Sequence, residues 1–360
     1  MTDSNRHYSK NLQIILASQA KLKEYSCKKI LGKNPIISLG QFGVIFPKTI
    51  NIIQGKKGVH KSRITENFCA LLLSKEIDKP FLGFKKNILE RYAVLYVDTE
   101  RNQAEQFPLA IQKIKRLAGY EIEEHPPNFS YVSLIEIKRV ERFDAIKEYL
   151  DYFREENSDQ QLFIVFDVLT DCIGNFNNVS ESMELVDMLN DLINYHNVTL
   201  LCVIHENPGN GSEKGRGHLG TELNNKASQV MQIGFEKDNK GNDTDLIRLK
   251  CLHARSTKKL EPVYLEYSEE AKGLVLASSD FVAERMAQKK EKATLAEIQS
   301  WIQENMGAEM NKEHLMNNLI AYFDCSKRTV EERLKELVES NFLTKEKHGR
   351  EVVYALTIPF

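Results

Sequence analysis

The stretch Gly55-Lys56-Lys57-Gly58-Val59-His60-Lys61-Ser62 follows an apolar run at 50–54 and precedes a helical pattern at 63–73. Its spacing approximates G-x-x-x-x-G-K-[ST], with His60 at the second glycine position and Gly58 two residues earlier. A loop of backbone N–H groups that feeds the positive end of a helix cradles phosphate. In that reading Lys61 reaches the β and γ phosphates of a nucleoside triphosphate and Ser62 holds Mg²⁺. Lys56, Lys57, Val59 and Arg63 complete the wall of the cradle. A lysine-bearing surface turn is the plain alternative. His60 carries a Cβ that restricts left-handed backbone angles, although histidine enters that region more readily than most residues.

Phosphoryl transfer to water needs an acid on the metal side and a base for the attacking water. The run Leu162-Phe-Ile-Val-Phe-Asp167 is an apolar strand ending in a carboxylate, so Asp167 is the metal-side candidate. A turn or helix-cap role is its alternative. Tyr96-Val-Asp98-Thr-Glu100 ends a second apolar strand, and Glu100 is the candidate general base. Asp98 is the runner-up, or the cap of the next helix. Leu200-Leu-Cys-Val-Ile-His205-Glu206-Asn207 ends a third strand, where His205 is placed to sense the γ-phosphate. A solvated strand end is the other reading. The glycine-dense, basic segment 208–218 cannot pack a core, and Lys214, Arg216 and Lys226 are candidates to grip a nucleic-acid backbone.

These residues need a scaffold that gathers strand ends. Strand-length apolar runs at 50–54, 93–98, 129–134, 162–167, 199–205 and 230–235 alternate with helical patterns, which predicts βαβ units and a mainly parallel sheet. Runs at 246–251, 263–267 and 273–276 lack long helices between them and read as antiparallel edge additions. The expected domains are a helical lead-in at 1–34, an α/β ATPase domain at 35–283, a charged linker at 284–293 and a small domain at 294–360. In the last, Thr294 and Glu297 fit a capping box. Helical patterns at 312–322 and 327–340 and a hairpin with a turn at Lys347-His348-Gly349-Arg350 come next, in the order of a winged helix-turn-helix.

With 49 basic against 51 acidic residues in 360, the chain is not a generally basic nucleic-acid coat, so DNA contact must come from local patches. The small domain carries 8 Lys and Arg against 11 Asp and Glu over 293–360, which favours protein docking as much as duplex reading. The six cysteines (27, 69, 172, 202, 251 and 325) are scattered and form no CxxC pair, so zinc spacing is poor. Reduced core thiols, a polar N-terminus and the lack of a membrane-length apolar run lead to a cytoplasmic expectation, with no membrane partner.

Taken in order, these motifs resemble the RecA-like P-loop ATPases, and within them the RepA-type hexameric helicases of bacterial plasmids and mobile elements. The resemblance rests on Gly55–Ser62, Glu100, Asp167, His205-Glu206-Asn207 and Arg216-Gly-His-Leu-Gly220-Thr-Glu-Leu-Asn-Asn225, over about 45–280. The family has glycine where His60 stands. The resemblance implies ATP and Mg²⁺ as ligands, a site shared between subunits of a homo-hexamer, and Lys250 or Arg255 as a cation supplied in trans. It implies an ATP-dependent helicase or translocase on single-stranded DNA, working with other replication or mobilization proteins. The alternative is a nucleotide-gated DNA-binding or loading factor with little hydrolysis, and a third reading is a winged-helix regulator with a nucleotide-sensing domain.

Overall fold

The computed structural model describes residues 9–29, 34–208, 213–238, 241–256, 258–287, 293–348 and 351–357. Gly349 and Arg350 of the expected wing turn lie outside the described residues, as do 1–8 and 30–33 of the expected lead-in and 288–292 of the expected linker. Residues 209–212 of the segment expected on nucleic acid lie outside them too. The chain divides into two compact units, one of 1–234 with 248–276, the other of 235–247 with 277–360. Among the described residues no helix is long and apolar enough to cross a membrane.

In the first unit, α1 (Lys10–Ser26) buries none of its residues. Next come β1 (Ile37–Leu39), β2 (Phe42–Ile45), β3 (Ile50–Gly55), α2 (Lys61–Leu73), β4 (Phe84–Lys86), β5 (Tyr92–Asp98), α3 (Gln106–Leu117) and β6 (Phe129–Ser133). They are succeeded by α4 (Arg142–Glu156), β7 (Gln161–Asp167), α5 (Val179–His196), β8 (Val198–His205), α6 (Gly217–Lys226), β9 (Gln229–Lys237), β10 (Asp243–Ala254), β11 (Val263–Ser268) and β12 (Gly273–Leu276).

The main sheet has the order β12-β11-β10-β9-β3-β8-β7-β5-β6. The pairs β9/β3, β3/β8, β8/β7, β7/β5 and β5/β6 are parallel, and β11/β12 is antiparallel. The runs at 50–54, 93–98 and 162–167 fall within β3, β5 and β7. Both faces of these strands are covered, so their apolar residues are continuous rather than alternating. Ala93, Leu95 and Val97 of β5 face one core with Ile164 and Phe166 of β7, Leu150 of α4, Leu189 of α5 and Leu219 of α6. Tyr96, one residue out of phase, meets Phe107 of α3 instead. A separate sheet, β2-β1-β4, was not anticipated in the sequence.

First in the chain among the parallel strands, β3 lies between β8 and β9, so later strands flank it on both sides. Ligands in open α/β sheets bind where strand order reverses, beyond the carboxyl ends of the strands. The ends of β3, β5, β7 and β8 carry Gly55, Asp98, Asp167 and His205.

The segment after β8 is fastened to that edge. Glu206 and Gly215 form a β-bridge, and the Arg216 N–H donates to the His205 carbonyl at 2.8 Å. Gly215 crosses α6 so closely that a Cβ on Gly220 would meet the Gly215 carbonyl carbon at 2.1 Å.

The second unit contains α7 (Ser279–Ala287), α8 (Leu295–Asn305), β13 (Glu309–Asn311), α9 (Lys312–Phe323), α10 (Lys327–Glu339), β14 (Leu343–His348) and β15 (Glu351–Leu356). Thr294 and Glu297 form the expected capping box at α8. The sheet order is β13-β15-β14, over a core of Ile298, Ile302, Leu315, Leu319, Val330 and Leu334. Arg285 of α7 forms an ion pair with Asp245, also in this unit.

Gly220→Ala tests the crossing. Alanine gains about 1 kcal/mol of helix propensity over glycine, yet its methyl would displace backbone, and overpacking of this kind costs about 1–3 kcal/mol. Urea unfolding is expected to show net destabilisation. Gly234→Ala, whose Cβ meets nothing within 4 Å, is expected to be nearly neutral.

Candidate functional site

Between β3 and α2 the chain makes two left-handed steps, Gly58 at φ +83° and His60 at φ +66°. Gly58 has open space around its Cβ position, so the backbone angle alone demands glycine there. His60 adopts the same region with a side chain, and its imidazole stacks on Tyr267 of β11, with centroids 5.6 Å apart and planes 19° off parallel. Burial, aided by Arg63 and Lys113, lowers the pKa of His60, which favours a neutral ring against Tyr267. No side chain caps the start of α2. The N–H groups of Lys61 and Ser62 are therefore open to an anion, while that of Arg63 donates to the His60 carbonyl at 3.0 Å.

The loop borders a cleft of about 1000 Å³. Its walls bring together Lys56, Lys57, Gly58, Val59, His60, Lys61, Ser62 and Arg63 with Glu100, Asp167 and His205. Glu206, Asn207, Arg216, Arg139, Asp171 and Phe176 also line it. Gly55 ends β3 beneath the loop. Lys56, Lys57, Lys61, Arg63, Arg139 and Arg216 stand against Glu100, Asp167, Asp171 and Glu206, an excess of cations that suits a polyanion.

Lys61 is buried, and its Nζ donates to the Lys56 carbonyl at 2.6 Å. Burial lowers its pKa, while Asp167, Glu100 and Glu206 oppose that shift. At the end of β8, His205 Nε2 lies 3.7 Å from Glu100 Oε1. The imidazole, followed by Lys61 and Lys57, holds the Glu100 carboxyl below the usual range despite partial burial. A Glu100 carboxylate thus stays ionised and able to accept a proton at neutral pH.

Asp167 is set by residues the sequence reading missed. Asp98 and Asp167 are register partners on β5 and β7. Arg101 lies across both: Nε donates to Asp98 Oδ2 at 2.6 Å, Nη2 to Asp167 Oδ2 at 3.0 Å, and Nη1 to Glu66 Oε1 of α2 at 3.1 Å. Its guanidinium rests over Tyr96 and Phe107. The Tyr96 hydroxyl donates to Asp167 Oδ2 at 2.7 Å and meets the Thr65 hydroxyl at 2.9 Å. Burial raises the pKa of Asp98 and Glu66 against the pull of their cations. Asp98, the runner-up base, accepts from the N–H groups of Glu100 and Arg101 and does not line the cleft. It caps that turn. The local signal was Arg101 itself, an arginine directly after the acidic strand end Asp98-Thr-Glu100.

Asp167 Oδ1 is buried without a hydrogen-bond partner. A hard divalent cation that keeps most of its waters needs only one or two protein oxygens beside the phosphates. Asp167 Oδ1 with the Ser62 hydroxyl fits Mg²⁺ in that way.

Among the expected DNA-binding cations, Arg216 lines the cleft, while Lys214 and Lys226 do not. Lys250 and Arg255 do not line the cleft of their own chain. Lys250 Nζ pairs with Glu213 at 2.6 Å, and the Arg255 guanidinium donates to the Asn225 carbonyl.

No family model matches the chain, and no curated protein matches it. Among solved structures it is similar to one titled "Crystal structure of the RadB recombinase", with a TM-score of 0.46 and 14% identity over 67% of this chain and 95% of that one. The chemistry of the cleft rests on its own residues.

Arg101→Met leaves Asp98, Asp167 and Glu66 without their shared cation, and breaking a buried ion pair costs about 3–5 kcal/mol. Raised carboxyl pKa values add stability below the unfolded values and lose it as pH rises through the folded values. The deficit is therefore expected to be full at pH 7 and smaller at pH 5, because loss of Arg101 raises Asp98 and Glu66 further. Equal deficits in urea unfolding at both pH values would contradict the assignment.

Proposed function

We propose that this chain is a RecA-like, Mg²⁺-dependent ATPase acting on DNA, most specifically a homo-hexameric helicase or translocase on single-stranded DNA from a plasmid or mobile element. The observation that carries the reading is the convergence, in one cationic cleft, of the loop at 55–62, the open start of α2, Glu100 with His205, and a carboxylate oxygen on Asp167 with no protein partner.

The backbone N–H groups at 56–62 bind the β and γ phosphates, with Lys61 swinging from the Lys56 carbonyl to the phosphate oxygens. Ser62 and Asp167 hold Mg²⁺, which when bound neutralises charge on those oxygens. Glu100 orients water for attack on the γ-phosphorus and accepts its proton as the bond to the β–γ bridging oxygen breaks. His205 keeps Glu100 ionised and meets the terminal phosphate. Lys250 or Arg255 acts on a neighbouring subunit's site. Lys214 and Lys226 contact DNA phosphates. The elements α8 to β15 form a winged helix.

In that domain three of the four cations of α10 are already paired: Arg328 with Glu332, Arg333 with Glu336, and Lys335 with Glu339. This supports protein docking over duplex reading. A second reading, a nucleotide-gated DNA-loading factor with slow hydrolysis, is favoured by the left-handed His60, whose ring occupies loop space that glycine leaves free.

The test is ATP turnover with and without single-stranded DNA. Lys61→Ala is expected to lower turnover on the order of 100-fold or more. Glu100→Gln is expected to lower it about 10²–10⁴-fold with ATP binding retained. Because Glu100 ionises below its ordinary range, kcat is expected to show no Glu100-dependent fall between pH 8 and pH 6. Wild-type turnover no higher than Lys61→Ala removes the ATPase; turnover without fork unwinding selects the loading factor.

A further inference from the structure

We propose that Arg216 is a catalytic cation supplied in cis, facing the terminal phosphate of the bound nucleotide rather than DNA; the inference rests on the ATPase reading above.

Three features of the first unit carry it. First, Arg216 lines the same cleft as Lys61, Glu100 and His205. Second, its guanidinium is poised but unspent. It lies over the Phe176 ring at 4.8 Å, and among the described residues it has no hydrogen-bond or ion-pair partner. The other two arginines of the cleft, Arg63 and Arg139, already pair with Glu66 at 3.0 Å and with Asp171 at 3.1 Å. Stacking on an aromatic face leaves all five N–H donors of a guanidinium free in its plane, the geometry that takes a phosphate oxygen pair.

Third, the backbone that carries Arg216 is built to hold position. The Arg216 N–H donates to the His205 carbonyl, so this arginine starts where the sensor imidazole starts. The next residue, Gly217, donates to Asn207 Oδ1 at 3.2 Å, and the Leu219 N–H donates to the Phe176 carbonyl at 3.1 Å. Gly217 sits at φ +68°, and a Cβ there would meet Asn177 Oδ1 at 2.6 Å and Phe176 at 2.8 Å. The backbone of Arg216 and the ring beneath its guanidinium are thus locked to each other and to the end of β8. A cation held so beside Glu100 and His205 falls on the γ-phosphate side, where charge changes during hydrolysis. A DNA-gripping residue needs none of this fixation toward the cleft.

The experiment compares the full-length wild type with Arg216→Ala, Arg216→Lys and Phe176→Leu. A fluorescent ATP analogue and the matching ADP analogue report affinity without DNA. Turnover without DNA and affinity for a labelled single strand are read on the same preparations. Arg216 is exposed, so its variants should fold. Arg216→Ala is expected to lower DNA-free turnover at least 100-fold, or to weaken ATP at least tenfold, with ADP affinity within twofold of wild type. Arg216→Lys should recover part of the loss and Phe176→Leu should show a smaller one. If Arg216→Ala leaves DNA-free binding and turnover intact and lowers only single-strand affinity, the assignment to the nucleotide is overturned and Arg216 belongs to DNA. A wild type that binds neither analogue overturns the ATPase reading and this one with it.

Discussion

The site depends on one cation among three buried carboxylates. Parallel pairing in register sets Asp98 beside Asp167 at the ends of β5 and β7, and α2 adds Glu66 from above. Like charges this close in a desolvated place repel by several kcal/mol. Arg101 answers with a different edge of its guanidinium for each, while Glu66 is also approached by Lys113 at 3.8 Å and by Arg63 at 3.0 Å. Burial of the Lys113 ammonium lowers its pKa to about 8, against the pull of Glu66. One consequence matters most for chemistry. Arg101 and Tyr96 both use Oδ2 of Asp167 and leave Oδ1 buried without a protein partner.

The phosphate loop solves a different problem. A left-handed residue with a Cβ costs roughly 1–2 kcal/mol over a right-handed one, and His60 carries that strain at the start of α2. The stack on Tyr267 offsets part of it, since aromatic pairs contribute about 0.5–1.5 kcal/mol. It also ties the loop to the antiparallel hairpin of β11 and β12. A glycine at this position would leave the loop free of the hairpin. The departure from the common motif is therefore a structural link as well as a local strain.

Much of this was legible in the residues. The parallel strands announced themselves as apolar runs that end in Asp98, Asp167 and His205, because strands covered on both faces are continuous in hydrophobicity and polar only where they emerge. The loop was legible from spacing and its helix. The small β2-β1-β4 sheet was not, since three- and four-residue strands carry too few positions to show a period. Arg101 was hidden for another reason: its partners Glu66 and Asp167 lie 35 and 66 positions away, and only the pairing of β5 with β7 brings them together. Arg216 was legible as a cation in a basic segment, which pointed outward to nucleic acid. Its place in the cleft comes from Gly215, Gly217 and Gly220, which read as loop-formers in the sequence and act as close-contact residues in the fold.

Those glycines turn the end of β8 into a rigid corner. His205 presents its imidazole to Glu100 and its carbonyl to the backbone N–H of Arg216, so one residue touches the candidate base by its side chain and the main chain of Arg216 by its own. Asn207, two positions on, accepts from Gly217 and donates to the Gly215 carbonyl. The polar layer behind it, Gln54 and Gln232 on Glu206, joins the same corner to β3 and β9. On the proposed ATPase reading, a change in charge at the γ-phosphate would act on Glu100, His205 and Arg216 together. Gly215 and Gly220 leave the crossing no slack to absorb a displacement of the corner. Segment 213–216 and α6 would then move with β8 or not at all, the stiffness that coupling nucleotide state to a second ligand would require.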